Sequence, residues 1–394
     1  MEKLSSILQE HVAQGQDTTN KLLGAAFVVV NAKDVLFSGS SGRINFDPDS
    51  RLFSTDTFTW MASMTKIITI TCFMQLVERG EIDLDDDVRP RIPELAKMQI
   101  LRGFDDNDKP ILEDNTNPIT LRHLLTHTLG LGSDLADPDL MKWSKAVGRT
   151  DTILSWNREG INTPLKFAPG EGWYYGAATD WAGVLLEEIT GETLGTYTQK
   201  NIFEPLGIKD TGFWPEKLPQ TADRTAVCTY REGETLKPGP LPPPKEHILE
   251  SAGAGLYSTA KDYTTFFQGL LQGKLVKEET LQEMFSPQLN ETQAGILEMI
   301  AYNIGGQDAF APEYPKGAKL NHGIGGVINV EDVPGKRRKG SLMWSGMCNS
   351  RWWIDRETGI AAALIVNVQP HGDPVAKSLY NELELEVYRC LGIQ

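Results

Sequence analysis

Long apolar runs are absent: no stretch reaches the ~18 residues of a membrane span, so a membrane protein is not expected. Cysteine is scarce, with four in 394 residues and no Cys-x-x-Cys pair. That argues against a disulfide scaffold or a thiolate metal site, and the four are expected as reduced thiols. Positive charge is in deficit. Lys and Arg number 38 against 53 Asp and Glu, a formal net charge of -15. So acidic a chain has no electrostatic footprint for nucleic acid, and none for an anionic membrane surface. Residues 1–16 alternate apolar and polar positions like a short amphipathic helix, without the apolar core or cleavage site of a secretory signal. The C-terminal residues carry no anchor or peroxisomal address. A cytoplasmic protein is the expectation.

Several catalytic strings are missing too. There is no Walker A string and no complete GxGxxG, which leaves nucleotide binding unsupported. No GxSxG is present, which disfavours the α/β-hydrolase elbow. His123 and His127 stand four apart, as zinc ligands can. No HExxH and no third ligand accompany them, so they read as structural residues. No metal and no organic cofactor are implied.

What is present is ample for a core: 40% of residues are hydrophobic, over a length of about two to three domain-sized units. Ala25 to Val30 and Val35 to Gly39 are β-rich runs around a polar turn, which predicts a hairpin. More strands are predicted near the end, at Ser341 to Trp344, Arg351 to Asp355 and Ala361 to Val368. A helix is predicted after them, from about Asp373 to Leu391. Helical periodicity fills the middle: Ser63 to Arg79 ending on Gly80, Leu121 to Thr128 behind Thr120, Trp181 to Thr190 ending on Gly191, and Asp262 to Gln272 ending on Gly273. The expected fold is α/β: one antiparallel sheet built from both termini and flanked by helices, with a mainly helical region inserted. In residue terms, 1–90 and 300–394 would form the sheet subdomain and 91–299 the helical one, within one catalytic unit. Lys237 to Pro244 reads as a polyproline-type loop, either a rigid connector or a wall of the cleft.

Three elements carry chemistry. Ser63 and Lys66 stand at i and i+3 at a helix start, so the amine can reach the hydroxyl. A free serine needs such a base. The helix after them is strongly apolar (Ile67, Ile68, Ile70, Phe73, Met74), and an ammonium one turn inside it requires a reason. The second element is the Pro/Gly turn Pro169 to Asp180, whose tyrosine can relay a proton. The third is Met343-Trp344-Ser345-Gly346-Met347, a strand with a glycine inside, which often marks close approach by a ligand or another backbone.

These elements, in this order, resemble the serine β-lactamase and DD-peptidase superfamily on its class C branch. The stretches Ile119 to Thr128, Ile202 to Ile208 and Ala252 to Thr259 resemble it as well. The lactamase Tyr-x-Asn is missing its asparagine, since Ala177 stands there, and Lys-Thr-Gly is replaced by Trp344-Ser345-Gly346. Both departures resemble the family VIII carboxylesterases. The segment Trp352 to Gly359 is similar to fungal lovastatin-acyltransferase-type transesterases. The match to that family's spacing, up to Asp180 and Gly191, selects Tyr175 over Tyr174.

The resemblance implies catalysis by Ser63, Lys66 and Tyr175, with an oxyanion hole from the backbone N–H groups of Ser63 and Met347. It implies a serine carboxylesterase or acyltransferase for a small hydrophobic ester, such as a polyketide metabolite, with water or a second, acyl-accepting alcohol as acceptor. Trp344, Ser345 and Gly346 would bind substrate. His322 would line the cleft or stay a plain loop histidine. Two other readings are a β-lactamase or DD-peptidase, disfavoured by Trp344, and a non-catalytic binding protein, disfavoured by the intact Ser63, Lys66 and Tyr175.

Overall fold

The unbroken apolar run Ala25 to Val30 needs cover on both faces, and it finds it inside a sheet. In the computed structural model, which describes residues 2–303 and 311–393, the main sheet has seven antiparallel strands. They are β1 (Gly24–Asn31), β2 (Val35–Gly42), β3 (Leu320–His322), β4 (Val327–Asn329), β5 (Leu342–Ser345), β6 (Arg351–Asp355) and β7 (Ile360–Ile365). Their spatial order is β2-β1-β7-β6-β5-β4-β3. The two ends of the chain meet where β1 pairs β7, from Ala26 opposite Ile365 to Asn31 opposite Ile360. This is the expected α/β fold, a single antiparallel sheet made by both ends of the sequence.

Six helices frame the sheet and the cleft: α1 (Glu2–His11), α2 (Thr65–Glu78), α3 (Leu121–Thr126), α4 (Ala178–Thr190), α5 (Ala260–Leu271) and α6 (Pro374–Cys390). α5 lies on β1 and β7, while α1 packs against β2 and α6. α2 is the central helix. Every residue from Thr65 to Leu76 is buried, as an all-round apolar helix must be. Its stop is legible in the sequence: Gly80 takes the left-handed conformation (φ 69°) that ends the run. No helix among the described residues is long and apolar enough to cross a membrane.

Several local expectations are revised. Leu121 begins a helix capped by Thr120, whose hydroxyl accepts the His123 N–H at 3.2 Å. The helix ends at Thr126, because His127 turns left-handed at φ 60°. The run Ala361 to Val368 is not one strand. β7 stops at Ile365, and Val368–Gln369 pairs with Cys228–Glu232 in a separate three-stranded sheet. Lys237 to Gly239 is not loop but part of the edge strand Thr235–Gly239 of that sheet. Pro238 is tolerated there because an edge leaves N–H positions unpaired. The middle also holds a hairpin, Gln99–Phe104 with Pro110–Asp114, within the region expected to be mainly helical.

The fully buried Leu364 of β7 lies across from Phe27 on one neighbour and Arg351 on the other. Leu364→Ala is expected to lower the unfolding free energy by about 2–5 kcal/mol. The check is a urea midpoint that falls while the m-value stays constant.

Candidate active site

Ser63 does not sit in the α-helix proper, as the sequence suggested. It occupies a single 3-10 turn, Ala62–Met64, and α2 begins at Thr65. The turn is tight. Ala62 holds φ 47°, a left-handed conformation that costs a non-glycine residue roughly 1–3 kcal/mol. Its carbonyl accepts the Thr65 hydroxyl at 2.6 Å. The preceding pair Thr59–Trp60 is bound to Tyr257–Ser258.

As the second residue of the buried helix, Lys66 is 5% exposed. Its Nζ donates to Ser63 Oγ at 3.2 Å and to the Gly253 carbonyl at 2.8 Å. Among the described residues no carboxylate lies within ion-pair distance of it. Backbone and hydroxyl oxygens therefore hold the amine. The segment that supplies the carbonyl runs along α2: Thr69 binds the Ala252 carbonyl at 2.9 Å and Trp60 Nε1 the Ala254 carbonyl at 2.6 Å. Small residues permit this approach. A Cβ on Gly253 would lie 2.7 Å from Asp180 Oδ2 and 3.2 Å from Lys66 Nζ. Asp180, buried at the start of α4, accepts from Ser251 Oγ at 2.6 Å and from the Gly253 N–H at 3.1 Å. In the sequence these residues stand out only as part of a family-like phrase. The alternation of Ala and Gly is the available signal for a close backbone approach.

Tyr175 comes from the loop before α4 and donates its phenol to Ser63 Oγ at 2.6 Å. Its ring passes 4.8 Å from Lys66 Nζ. Tyr174 points elsewhere, to Asp137 Oδ2 at 2.7 Å, and its N–H is taken by the His127 carbonyl at 2.9 Å. Thus Ser63, Lys66 and Tyr175 converge on one oxygen. Such an arrangement can raise a hydroxyl to a nucleophile and return a proton to a leaving group.

Behind Tyr175 stands an aromatic block. The His127 ring is edge-on to Tyr175 at 4.8 Å, His322 is edge-on to His127 at 5.6 Å, and Trp344 lies 5.1 Å from Tyr175. Burial pushes the His322 imidazole down to about 4 and His127 well below the ordinary histidine range. Both are therefore neutral at physiological pH. His322 is 2% exposed and packs behind Trp344 at 5.8 Å, so it backs the wall of the site. His123 is apart from it, accepting the Thr120 N–H at the head of α3.

Two chambers meet at Ser63, Tyr175 and Met347. The smaller, about 240 Å³, is lined by Trp344, Ser345, Gly346 and His371 as well. The larger, about 410 Å³, is walled by Trp60, Leu135, Ile153, Leu154 and Trp156. β5 delivers Trp344 and Ser345, and Gly346 lets its end touch the serine turn. A Cβ there would stand 2.6 Å from the Met61 carbonyl. Met347 comes next, in a turn closed by Gly346 N–H to Ser350 O at 2.8 Å.

Fold and site together define an enzyme of the serine hydrolase and transesterase class. The chain belongs to the beta-lactamase family, whose sequence profile matches residues 7–386. It is 31% identical to the lovastatin esterase of Penicillium rubens, over 94% of this chain and 95% of that one. It is 34% identical to the monacolin J acid methylbutanoyltransferase of Aspergillus terreus, over 84% of this chain and 82% of the other. A mutant of simvastatin synthase from Aspergillus terreus superposes with a TM-score of 0.88 at 30% identity, covering 99% of this chain and 94% of that one.

Gly253→Ala should push the added methyl into Asp180 and Lys66 and displace the amine from Ser63. Turnover is expected to fall about 100-fold, since small misplacements of reacting groups cost that much. Kinetics beside a melting curve provide the check, with the melting temperature nearly unchanged.

Proposed function

We propose that this chain is a serine carboxylesterase or acyltransferase for a small, uncharged hydrophobic ester. The observation that carries the reading is the double hydrogen bond to Ser63 Oγ, from Tyr175 at 2.6 Å and Lys66 at 3.2 Å. Ser63 attacks the ester carbonyl while its proton passes to the Lys66–Tyr175 pair, which must start one proton short: a neutral Lys66 amine beside the Tyr175 phenol, or a Tyr175 phenolate beside the Lys66 ammonium. The backbone N–H groups of Ser63 and Met347 hold the tetrahedral oxyanion. Collapse breaks the ester bond, and the departing alcohol takes the proton back from the same pair. Water, or a second alcohol, then attacks the acyl-Ser63 carbonyl along the reverse path. Support comes also from relatives named for cleaving lovastatin and for moving a methylbutanoyl group onto monacolin J acid. The substrate would by that kinship be a polyketide ester.

The chamber walls favour an apolar substrate. Trp344 offers an apolar face and one N–H donor where the lactam-processing branch offers a cation. A carboxylate-bearing lactam would find no counter-charge from it.

Ser63→Ala is expected to lower kcat by about 10⁴-fold or more, with Lys66→Ala and Tyr175→Phe each costing about 10²–10⁴-fold. Because the three act as a unit, the double variant Lys66→Ala/Tyr175→Phe should cost far less than the product of the singles. Steady-state kinetics on p-nitrophenyl butyrate decide it, and near-normal turnover by Ser63→Ala would remove the mechanism.

The same preparation should hydrolyse the butyrate ester and leave a chromogenic cephalosporin almost untouched. Trp344→Lys should weaken ester turnover by placing an ammonium without a partner in a site only 5% exposed. A higher kcat/KM for the cephalosporin would overturn the esterase reading.

A further inference from the structure

Trp156 lines the larger chamber, and two further rings stand against that indole. Trp156 is 1% exposed and holds a left-handed backbone, φ 48°. On its far side the His247 ring meets it edge-on at 4.9 Å. His247 is also stacked on Trp214 at 4.1 Å, with 15° between the planes. Trp214 in turn lines a second cavity of about 580 Å³. Three rings in series therefore separate the two spaces. The chain makes the same division within one peptide unit. Glu250 lines the second cavity and Ser251 lines the chamber beside Lys66 and Asp180.

The two sides differ in chemistry. The chamber wall at this end is Ile153, Leu154 and Trp156. The second cavity mixes Phe203, Phe213 and Leu218 with Glu250, Lys200 and Gln199. Glu250 accepts from Trp214 Nε1 and from the Gly195 N–H, so Trp214 is anchored on the side of the second cavity. The strap that carries His247 is tied to the chamber side by the Leu249 N–H to the Trp156 carbonyl, at 3.0 Å. His247 Nδ1 lies 2.9 Å from the Leu249 carbonyl, which fixes the ring within the strap. The strap comes directly after the proline-rich stretch Pro240 to Pro244, which stiffens it.

We propose that the Trp156–His247–Trp214 stack is an end wall that sets how long a substrate chain the chamber accepts, with Trp156 as the specificity-determining residue. An apolar chain running from the ester at Ser63 reaches Trp156 and stops. Extending it would require the indole to move, and His247, pinned against Trp214, prevents that. Specificity for length is then steric, while the rest of the chamber selects only for apolar character. The inference rests on the esterase reading for its kinetic arm.

Two ester series test it, p-nitrophenyl alkanoates that lengthen the acyl side and alkyl butyrates that lengthen the alcohol side, each from four to twelve carbons. The readout is the ratio of kcat/KM for the longest ester to that for the shortest. Trp156→Ala should raise that ratio about tenfold or more in at least one series, as expected when a pocket gains room for several methylenes. His247→Ala, on the strap, should raise it in the same series and to a smaller extent. Trp156→Phe should change it least. Ratios that stay at the wild-type value in both series overturn the proposal, and so does a change with Trp156→Ala that His247→Ala does not share. Should Trp156→Ala fail to fold, His247→Ala decides alone. A second arm needs no catalysis: thermal stabilisation of the same proteins by n-alkanols from butanol to dodecanol. The wild type should lose stabilisation beyond a chain length that both variants extend. An unchanged cut-off overturns the wall even if no ester is turned over, and a missing turnover with a shifted cut-off counts against the esterase reading alone.

Discussion

A single buried amine organises this molecule. Lys66 is the second residue of a helix whose first twelve residues are all buried, and taking a polar amine out of water is costly unless polar groups receive it. The Gly253 carbonyl, Ser63 Oγ and the face of Tyr175 do so. Each of those partners then has to be brought to a fixed place by a different part of the chain. The Ala252–Leu256 segment must lie flat on α2, the loop before α4 must thrust Tyr175 inward, and the serine must be held off the helix in its own turn.

Close backbone approach is the means by which this is done. Gly253, Gly176 and Gly346 each stand where a side chain would strike a neighbouring carbonyl or carboxylate within 2.5–2.7 Å. They come from three separate regions of the chain, and all three crowd the space around Ser63. Ala62 adds a strained left-handed residue directly before the serine. Strain of this kind persists only where the surroundings over-determine it. Here Thr65, Leu256 and the short Thr59–Trp60 strand pin the turn from three sides. The hydroxyl thereby points into the cleft rather than along the helix.

The aromatic block behind Tyr175 complements this from the opposite wall. Two neutral imidazoles, His127 and His322, fill space next to the phenol without adding charge. Trp344 carries the apolar surface forward to the smaller chamber. The only lysine or arginine that lines either chamber among the described residues is Lys66 itself, which leaves no second cation for a substrate carboxylate.

Much of this was legible in the sequence, for identifiable reasons. Ser63 and Lys66 are three residues apart, a spacing that keeps them neighbours across the 3-10 turn and the helix start alike. The β-rich runs Ala25–Val30 and Ala361–Val368 stand at opposite ends of the sequence, so one sheet from both termini was the economical solution. Gly80, Gly191 and Gly273 marked helix ends because positive φ favours glycine. Tertiary structure decided the rest. That Tyr175 and not Tyr174 meets the serine was inferred by resemblance; in the fold, Asp137 and the His127 carbonyl turn Tyr174 away. That the Gly253 carbonyl would receive the amine could not be read locally beyond the Ala/Gly alternation, since a carbonyl is present in every residue and only its surroundings make it a ligand. The split of Ala361 to Val368 between two sheets depended on a partner strand far earlier in the chain, Cys228–Glu232. Local periodicity and capping chemistry travel with the chain and can be read in order. Which distant backbone fills the space beside a buried amine depends on packing, and packing exists only once the whole chain has folded.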